Sequence, residues 1–283
     1  MRRGPLRDTG GVDITELTRK ILDRRAKDGD PLRIVQAGHP ALRRTSLSAR
    51  GRLAPELLLE LVDAMTVTMR DAPGVGLAAP QVGLPLSLYV IEDRVRAAAG
   101  VGPEEEQHGE DGEHGESGDD APDQPHESHG RRAVDDTDEL DDLEERDAED
   151  DLLERRPVPL RALLDPQVTL LGAERVYAWE GCLSVDGWQS IVPRSRRVRV
   201  QALELMPGGE LREIDEEHVG WPARILQHET DHLAGTLCHD LMVPRSYIES
   251  GYAPYYADLG EAVRRLGLSG EIAELGEGEV IAR

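Results

Sequence analysis

Two histidines four residues apart, His228 and His232, are the side chains in this sequence best spaced to hold a metal ion. They lie in the stretch ILQHETDHLAG, residues 225–235, and Glu229 directly follows the first of them. Positions i and i+4 of a helix share one face, so both imidazoles can bind the same ion. Glu229 lies about 100° further round the helix and can meet a metal-bound water without being a ligand. The pattern predicts metal-assisted attack on a carbonyl group.

The third ligand decides the class of metallohydrolase, and the residues leave several options open. The spacing HExxHxxGxxH requires histidine at position 238, but that residue is Cys238, and His239 comes one place late. A carboxylate on a later helix is a second option, with Glu249 as the candidate. Cys182, in EGCLS after an apparent strand, is a third option as a thiolate. Cys238 is expected to pack as a small hydrophobic residue.

The negative charge of the chain is concentrated in one segment. The formal net charge is -23 over 283 residues, yet residues 104–154 alone hold 24 acidic side chains against three arginines. The remainder is close to neutral, and 39% apolar content is enough for a core. No patch rich in Lys and Arg suggests nucleic acid, and no apolar run suggests a membrane. We expect a cytoplasmic protein with both cysteines reduced.

Periodicity and turn residues predict the elements that must position the candidate ligands. Apolar residues at helical spacing, or in short β-branched runs, define them. The predicted helices cover 14–25, 55–69, 221–234 and 257–266, and the predicted strands cover 86–93, 197–205 and about 211–219. GVGLAAPQVG, residues 74–83, is predicted to be a loop. Pro222 and Gly235 mark the start and end of the histidine helix.

Changes of composition divide the chain into five parts. Residues 1–31 are an N-terminal extension with a short helix, and residues 32–96 and 157–245 are the two parts of a catalytic domain. Residues 97–156 form an acidic insertion, expected to be disordered because it holds too little apolar surface to offset its ordering entropy. Residues 246–283 are expected to be a C-terminal helix and a polar tail.

Three segments, in this order, resemble the signature motifs of the peptide deformylase family. They are GVGLAAPQ at 74–81, EGCLS at 180–184 and QHETDHL at 227–233. The stretch AGHPALRR at 37–44 is similar to the family's opening turn, and the likeness covers roughly 32–93 and 157–245. The resemblance implies an α+β fold with antiparallel β-sheets around a central HExxH helix. It also implies a hydrolase that removes the formyl group from N-formylmethionine on nascent polypeptides and releases formate.

The resemblance assigns a metal centre to this sequence. It implies that Cys182, His228 and His232 bind one divalent ion, with Fe²⁺ favoured and Zn²⁺, Ni²⁺ or Co²⁺ as alternatives. Glu229 would accept a proton from the attacking water and deliver it to the leaving amine. In the same way, the Gln81 side chain and the Leu183 backbone N–H would stabilise the tetrahedral oxyanion. The residues implied to bind substrate are Val75, Gly76, Gly181 and Ile225.

Three positions depart from the family's pattern without removing a ligand. Asp186 stands where proline is common, Asp165 where asparagine is usual, and Cys238 where an aromatic residue is frequent.

The partners implied by the resemblance are formyl-methionyl nascent peptides and the ribosome surface. Two other functions are compatible with parts of the sequence. One is a zinc endopeptidase, which needs only the HExxH pattern. The other is a non-catalytic protein whose acidic segment binds a basic partner, such as a ribosomal protein surface.

Overall fold

Four helices are described in the computed structural model, which covers residues 13–72, 74–94, 153–256 and 258–268 and the backbone of 281–282. They are α1 (Ile14–Leu22), α2 (Pro55–Asp71), α3 (Trp221–Ala234) and α4 (Leu259–Arg265). None of these helices is both long and apolar enough to cross a membrane. The expectations for residues 1–12, for residues 97–152 and for most of the C-terminal tail lie outside the described residues.

Capping residues explain where the helices begin and end. The Asp13 side chain accepts a hydrogen bond from the Glu16 N–H (3.1 Å) and starts α1. That helix ends three residues before the predicted position 25, because the N–H groups of Arg24 and Arg25 bond to carbonyls three residues back. Helix α3 has the predicted bounds, with Pro222 in its first turn and Gly235, at φ 80°, just past its end.

Seven strands among the described residues form one antiparallel sheet. They are β1 (Gly76–Ala78), β2 (Leu88–Asp93), β3 (Val158–Gly181), β4 (Trp188–Leu205), β5 (Leu211–Val219), β6 (Ile248–Glu249) and β7 (Ile281–Ala282). The order is β1-β2-β3-β4-β5, and β6 pairs with β4 while β7 pairs with β3. This architecture confirms the α+β class. The strands are hydrogen-bonded into one continuous sheet, where the resemblance implied several.

The GVGLAAPQVG segment is not the loop that the sequence predicts. Residues Gly76–Ala78 form β1, paired in register with Tyr89–Ile91, and residues Ala79–Val82 form a short 3₁₀ helix. The small side chains that suggested a loop instead allow the strand to lie close to its neighbours.

Irregularities in pairing interrupt the two longest strands. The register between β3 and β4 shifts between Leu164 and Gln167 and again between Leu171 and Arg175. Asp165, at the first shift, has φ 50°, a conformation that aspartate tolerates better than most residues. Its carboxylate accepts hydrogen bonds from the Ala49 N–H (2.7 Å) and the Arg50 N–H (3.1 Å), so it also fastens the loop before α2.

Helix α3 lies against the sheet with its apolar side buried. Ala223, Ile225, Leu226 and Leu233 pack in one cluster with Tyr89 and other strand residues. A second cluster joins α1 and α2 to β1 and β2. Burial on both sides fixes the position of α3, and with it the direction in which the two histidines project.

The chain leading into β3 is part of the folded structure from residue 153 onward. Leu153 is 6% exposed, and the Glu154 carboxylate pairs with Arg196 at 2.8 Å. Arg155 pairs with Asp93 of β2 at 3.1 Å. These residues fall within the segment 97–156 that composition assigned to the insertion, so the described fold begins four residues before 157.

Candidate metal centre

Cys182, His228 and His232 come together although 46 residues separate the cysteine from the first histidine. Cys182 directly follows β3, and the two histidines project from the same face of α3. The Cys182 Sγ lies 3.5 Å from His232 Nε2, and one ligand atom from each of the three residues lies within 4.8 Å of the others. The two imidazole rings are nearly perpendicular, with centroids 4.9 Å apart. Such a set can surround one ion.

The donor set has the chemistry of a transition-metal site. One thiol and two imidazoles suit iron, zinc, nickel and cobalt, whereas calcium and magnesium prefer oxygen. The buried Nδ1 of His232 and Oε2 of Glu229 have no hydrogen-bond partner among the described residues. Buried polar atoms without partners are rare and mark functional positions. The site therefore fits a divalent metal with Glu229 beside it.

Glu180 is the central hydrogen-bond acceptor behind the metal site. Its Oε2 accepts from His228 Nδ1 at 3.1 Å and from Arg194 at 2.9 Å, while its Oε1 accepts from Arg194 at 2.9 Å and Arg224 at 2.5 Å. Arg194 also pairs with Asp231 on α3. The bond to Nδ1 leaves Nε2 of His228 free to face an ion, as in many metal sites whose histidines are oriented by a carboxylate.

A second group, Glu180, His228 and Cys238, also brings its ligand atoms within 4.8 Å. Two arginines already occupy the Glu180 carboxylate, and their charge repels a cation. Cys238 is 4% exposed and packs with Cys182 in an otherwise aliphatic cluster. It thus packs as a small residue, as expected, but beside the thiol of Cys182.

The charges around the site shift the pKa values of its acids and bases. Burial raises the pKa of Glu229 to about 7, although nearby His228 and Arg194 oppose the shift. Burial lowers the pKa of His228, but the hydrogen bond and charge of Glu180 outweigh this effect and raise it to about 9. Burial and the neighbouring His228 hold the pKa of His232 well below its usual value. The charge of Glu180 therefore favours the protonated form of His228.

Gly76 and Gln81 bring the first motif against the other two. A Cβ added to Gly76 would lie 2.2 Å from Oε1 of Glu229, so only glycine leaves room for this carboxylate. The Gln81 Oε1 accepts from the Ala78 N–H at 2.7 Å, and its Nε2 lies 3.6 Å from the Cys182 Sγ. The fixed amide keeps its N–H₂ group at the edge of the site.

The Leu183 backbone is fixed by contacts with an earlier segment. Its carbonyl accepts from Gln36 Nε2 at 3.0 Å, and the Asp186 N–H donates to Gln36 Oε1 at 3.1 Å. Proline at position 186 has no N–H and could not make the second bond, whereas any other residue, including the aspartate of this chain, can make it.

The remaining residues predicted to bind substrate lie at different depths. Gly181 is exposed at the end of β3, Val75 is partly exposed just before β1, and Ile225 is buried on α3. The structure places Gly181 next to Cys182 and Gly76 next to Glu229. Glu249, the alternative carboxylate ligand, lies in β6 and pairs with Trp188.

Sequence reasoning missed the cluster of Glu180, its partners Arg194 and Arg224, and Asp231, which pairs with Arg194. Charged residues are exposed by default, so a sequence gives no reason to expect four of them together beneath a helix. One signal was present: Arg224 interrupts the apolar side of α3 one turn before His228.

The model of the polypeptide deformylase family matches residues 31–104 and 134–246. Peptide deformylase 3 of Streptomyces avermitilis is 38% identical over 237 residues, which is 83% of this chain and 83% of that protein. Peptide deformylase 1 of Streptomyces coelicolor is 38% identical over 77% of this chain and 76% of its own length.

Solved structures show the same fold. The Met-Ala-Ser-bound class I type b peptide deformylase of Acinetobacter baumannii superposes with a TM-score of 0.50 at 23% identity, covering 76% of this chain and 99% of that one.

Proposed function

The chain belongs to the peptide deformylase family, and we propose that its reaction takes place at Cys182, His228, His232 and Glu229. It is a metal-dependent hydrolase that removes the formyl group from N-formylmethionine of polypeptides. The family membership sets aside the zinc endopeptidase and the non-catalytic interaction protein. The observation that carries the assignment of residues is the approach of the three ligand atoms to within 4.8 Å of one another, with a buried carboxylate alongside.

Cys182, His228 and His232 hold one divalent ion in this proposal. When bound, the metal supplies a Lewis acid that makes water nucleophilic at neutral pH. We propose Fe²⁺ as the native ion, and Zn²⁺, Ni²⁺ and Co²⁺ suit the same ligands.

Glu229 moves the proton. Water adds to the formyl carbon and gives one proton to the Glu229 carboxylate. The carbon–nitrogen bond then breaks, the leaving nitrogen takes that proton, and a free amine and formic acid remain, the acid losing its proton to give formate. The position of the carboxylate, which is 3% exposed and lies directly over Gly76, keeps it out of bulk water.

Gln81 and Leu183 stabilise the negative oxygen of the tetrahedral intermediate. The Gln81 amide is oriented by the Ala78 N–H, and Leu183 is held through Gln36, so both donors are fixed before substrate arrives. Fixed donors stabilise the transition state more than mobile donors do, because they need no reorganisation during the reaction.

The substrate is a formyl-methionyl peptide that enters beside β1 and the end of β3. Strand β1 is the outermost strand of the sheet order, where an extended peptide can pair. Val75, Gly76 and Gly181 contact its backbone, and Ile225 contributes to the methionine pocket. The proposed setting is the cytoplasm at the ribosome surface, although a similar protein of Solanum lycopersicum is named chloroplastic.

Formate release from formyl-Met-Ala-Ser tests the proposal. Protein purified without oxygen and loaded with iron should release formate. The rate of Glu229→Ala should be lower by a factor of about 10²–10⁴, with its metal content unchanged. Wild-type protein no more active than Glu229→Ala would overturn the assignment.

A further inference from the structure

We propose that Arg224 is a positioning residue of the metal centre, which fixes the Glu180 carboxylate and, through it, the ring of His228. The inference rests on the proposed function, because it needs His228 to be a metal ligand. It assigns a role to a residue outside the three motifs.

Arg224 is a buried cation that reaches three elements. Its side chain is 4% exposed. It lies on α3, donates to Glu180 Oε1 of β3 at 2.5 Å, and donates to the carbonyls of Val192 on β4 at 3.1 Å and Val176 on β3 at 2.6 Å. A planar guanidinium can make several bonds in fixed directions, which an ammonium group cannot. Arg224 thus sets the position of α3 relative to both strands.

Arg224 and His228 are i and i+4 on α3, and they bind opposite oxygens of one carboxylate. Arg224 donates to Oε1 of Glu180, and His228 Nδ1 lies 3.1 Å from Oε2. Rotation of the carboxylate would break one of these contacts. Arg194, on β4, donates to both oxygens of Glu180. Its link to the helix that carries His228 is its ion pair with Asp231.

The charges of the cluster balance only when Arg224 is present. Arg194 and Arg224 oppose Glu180 and Asp231, and a metal-bound imidazole is neutral. A buried carboxylate that loses one of its cations is costly and draws in water or shifts its position. Either change would turn the His228 ring away from the orientation that aims Nε2 at the ion.

The affinity for a metal is therefore the property to measure. We expect Arg224→Met to weaken Co²⁺ binding about 10–100-fold, the usual effect of removing support from a ligand's hydrogen-bond partner. Competition with a chromophoric chelator gives the dissociation constant, and the visible absorption of the cobalt protein reports ligand geometry. Circular dichroism confirms that each variant is folded before it is compared.

Arg161→Met provides the matched control. Arg161 is also a mostly buried arginine in an ion pair, with Glu204 at 2.7 Å and Glu216 at 2.8 Å, but it lies on the sheet away from the cluster. Its loss should lower the melting temperature and leave the cobalt affinity and spectrum unchanged. Arg224→Lys keeps the positive charge but lacks the planar guanidinium, so its cobalt affinity should lie between those of the wild type and Arg224→Met.

The outcomes separate this inference from the function on which it rests. Folded Arg224→Met with wild-type cobalt affinity and spectrum would overturn the role of Arg224 and leave the metal site intact. If Arg224→Met does not fold, a wild-type affinity and spectrum in Arg224→Lys overturns it equally. Equal cobalt affinities of the wild type and Cys182→Ala would instead refute the proposed metal site itself.

Discussion

At the scale of single residues, Gly76 leaves no room for a side chain beside Glu229. Because an added Cβ would lie 2.2 Å from Glu229 Oε1, Gly76→Ala must displace the carboxylate. We expect kcat to fall about 10²-fold, as for a displacement of a catalytic group by about 1 Å, with the metal content unchanged. Formate release and metal analysis of the same preparation measure both quantities.

Gly181→Ala is the control for this substitution when kcat is compared, because the proposed contact of Gly181 with the substrate backbone is expected to act on KM. A Cβ at Gly181 would meet the Gln189 Cγ at 3.6 Å, an ordinary van der Waals contact. The change leaves Glu229 in place, so kcat should fall far less than in Gly76→Ala. Equal losses of kcat in the two variants would show that crowding of Glu229 is not the cause.

The ionisation of Glu229 predicts how activity depends on pH. The carboxylate accepts a proton only when ionised, and burial raises its pKa to about 7. A bound cation favours the ionised form and moves the pKa lower. With metal bound, kcat/KM should therefore fall as the pH decreases through a value at or below about 7. A pH profile of formate release, with metal content checked at each pH, tests this, and an acid limb well above 7 would contradict it.

At the scale of elements, sequence patterns predicted α3 best. Its apolar stripe, Pro222 and Gly235 are local signals, and the structure places the helix at the predicted residues. The long strand β3 had no comparable signal, because a register shift near Asp165 and many polar residues hide its alternation. Strand β1 was hidden because three residues, two of them Gly and Ala, are too few to show an alternating pattern.

The same distinction applies to the candidate site. Cys182, His228 and His232 were identifiable because short motifs carry them. The cluster around Glu180 depends on which charged residues the fold buries, and apart from Arg224 on the apolar side of α3 no local pattern indicates it.

Gly235 tests the packing of α3 against the N-terminal part of the chain. Its φ is 80°, and an added Cβ would lie 2.8 Å from backbone atoms of Arg43 and Arg44. Gly235→Ala should lower the free energy of unfolding by about 1–2 kcal/mol for the backbone conformation and by about 1–3 kcal/mol more for the clash. Denaturant unfolding followed by circular dichroism measures the sum.

Gly172→Ala isolates the conformational part of that cost. Gly172 has φ 72°, and nothing lies within 4 Å of an added Cβ. This variant should lose only the backbone contribution. If both variants are destabilised equally, the contact between the end of α3 and the Arg43–Arg44 backbone contributes nothing to stability.

At the scale of the whole molecule, the acidic segment joins two neighbouring strands of the described fold. It connects Arg94, after β2, with Leu153, before β3, and these strands are antiparallel neighbours with Asp93 paired to Val158. Neighbouring antiparallel strands need only a short connection. Each residue proposed to act in catalysis lies outside the segment.

Replacing residues 97–152 with a short Gly-Ser linker should therefore leave kcat/KM for formyl-Met-Ala-Ser unchanged. Replacing residues 97–156 is the matched control, since it also removes buried Leu153 and the ion pairs that Glu154 and Arg155 make with Arg196 and Asp93. The longer deletion should unfold at a lower denaturant concentration, because it opens the packing beneath β3 and leaves Asp93 without one of its cations. If the shorter deletion is folded and binds metal but no longer releases formate, the acidic segment takes part in the reaction, and the catalytic unit must be extended to include it.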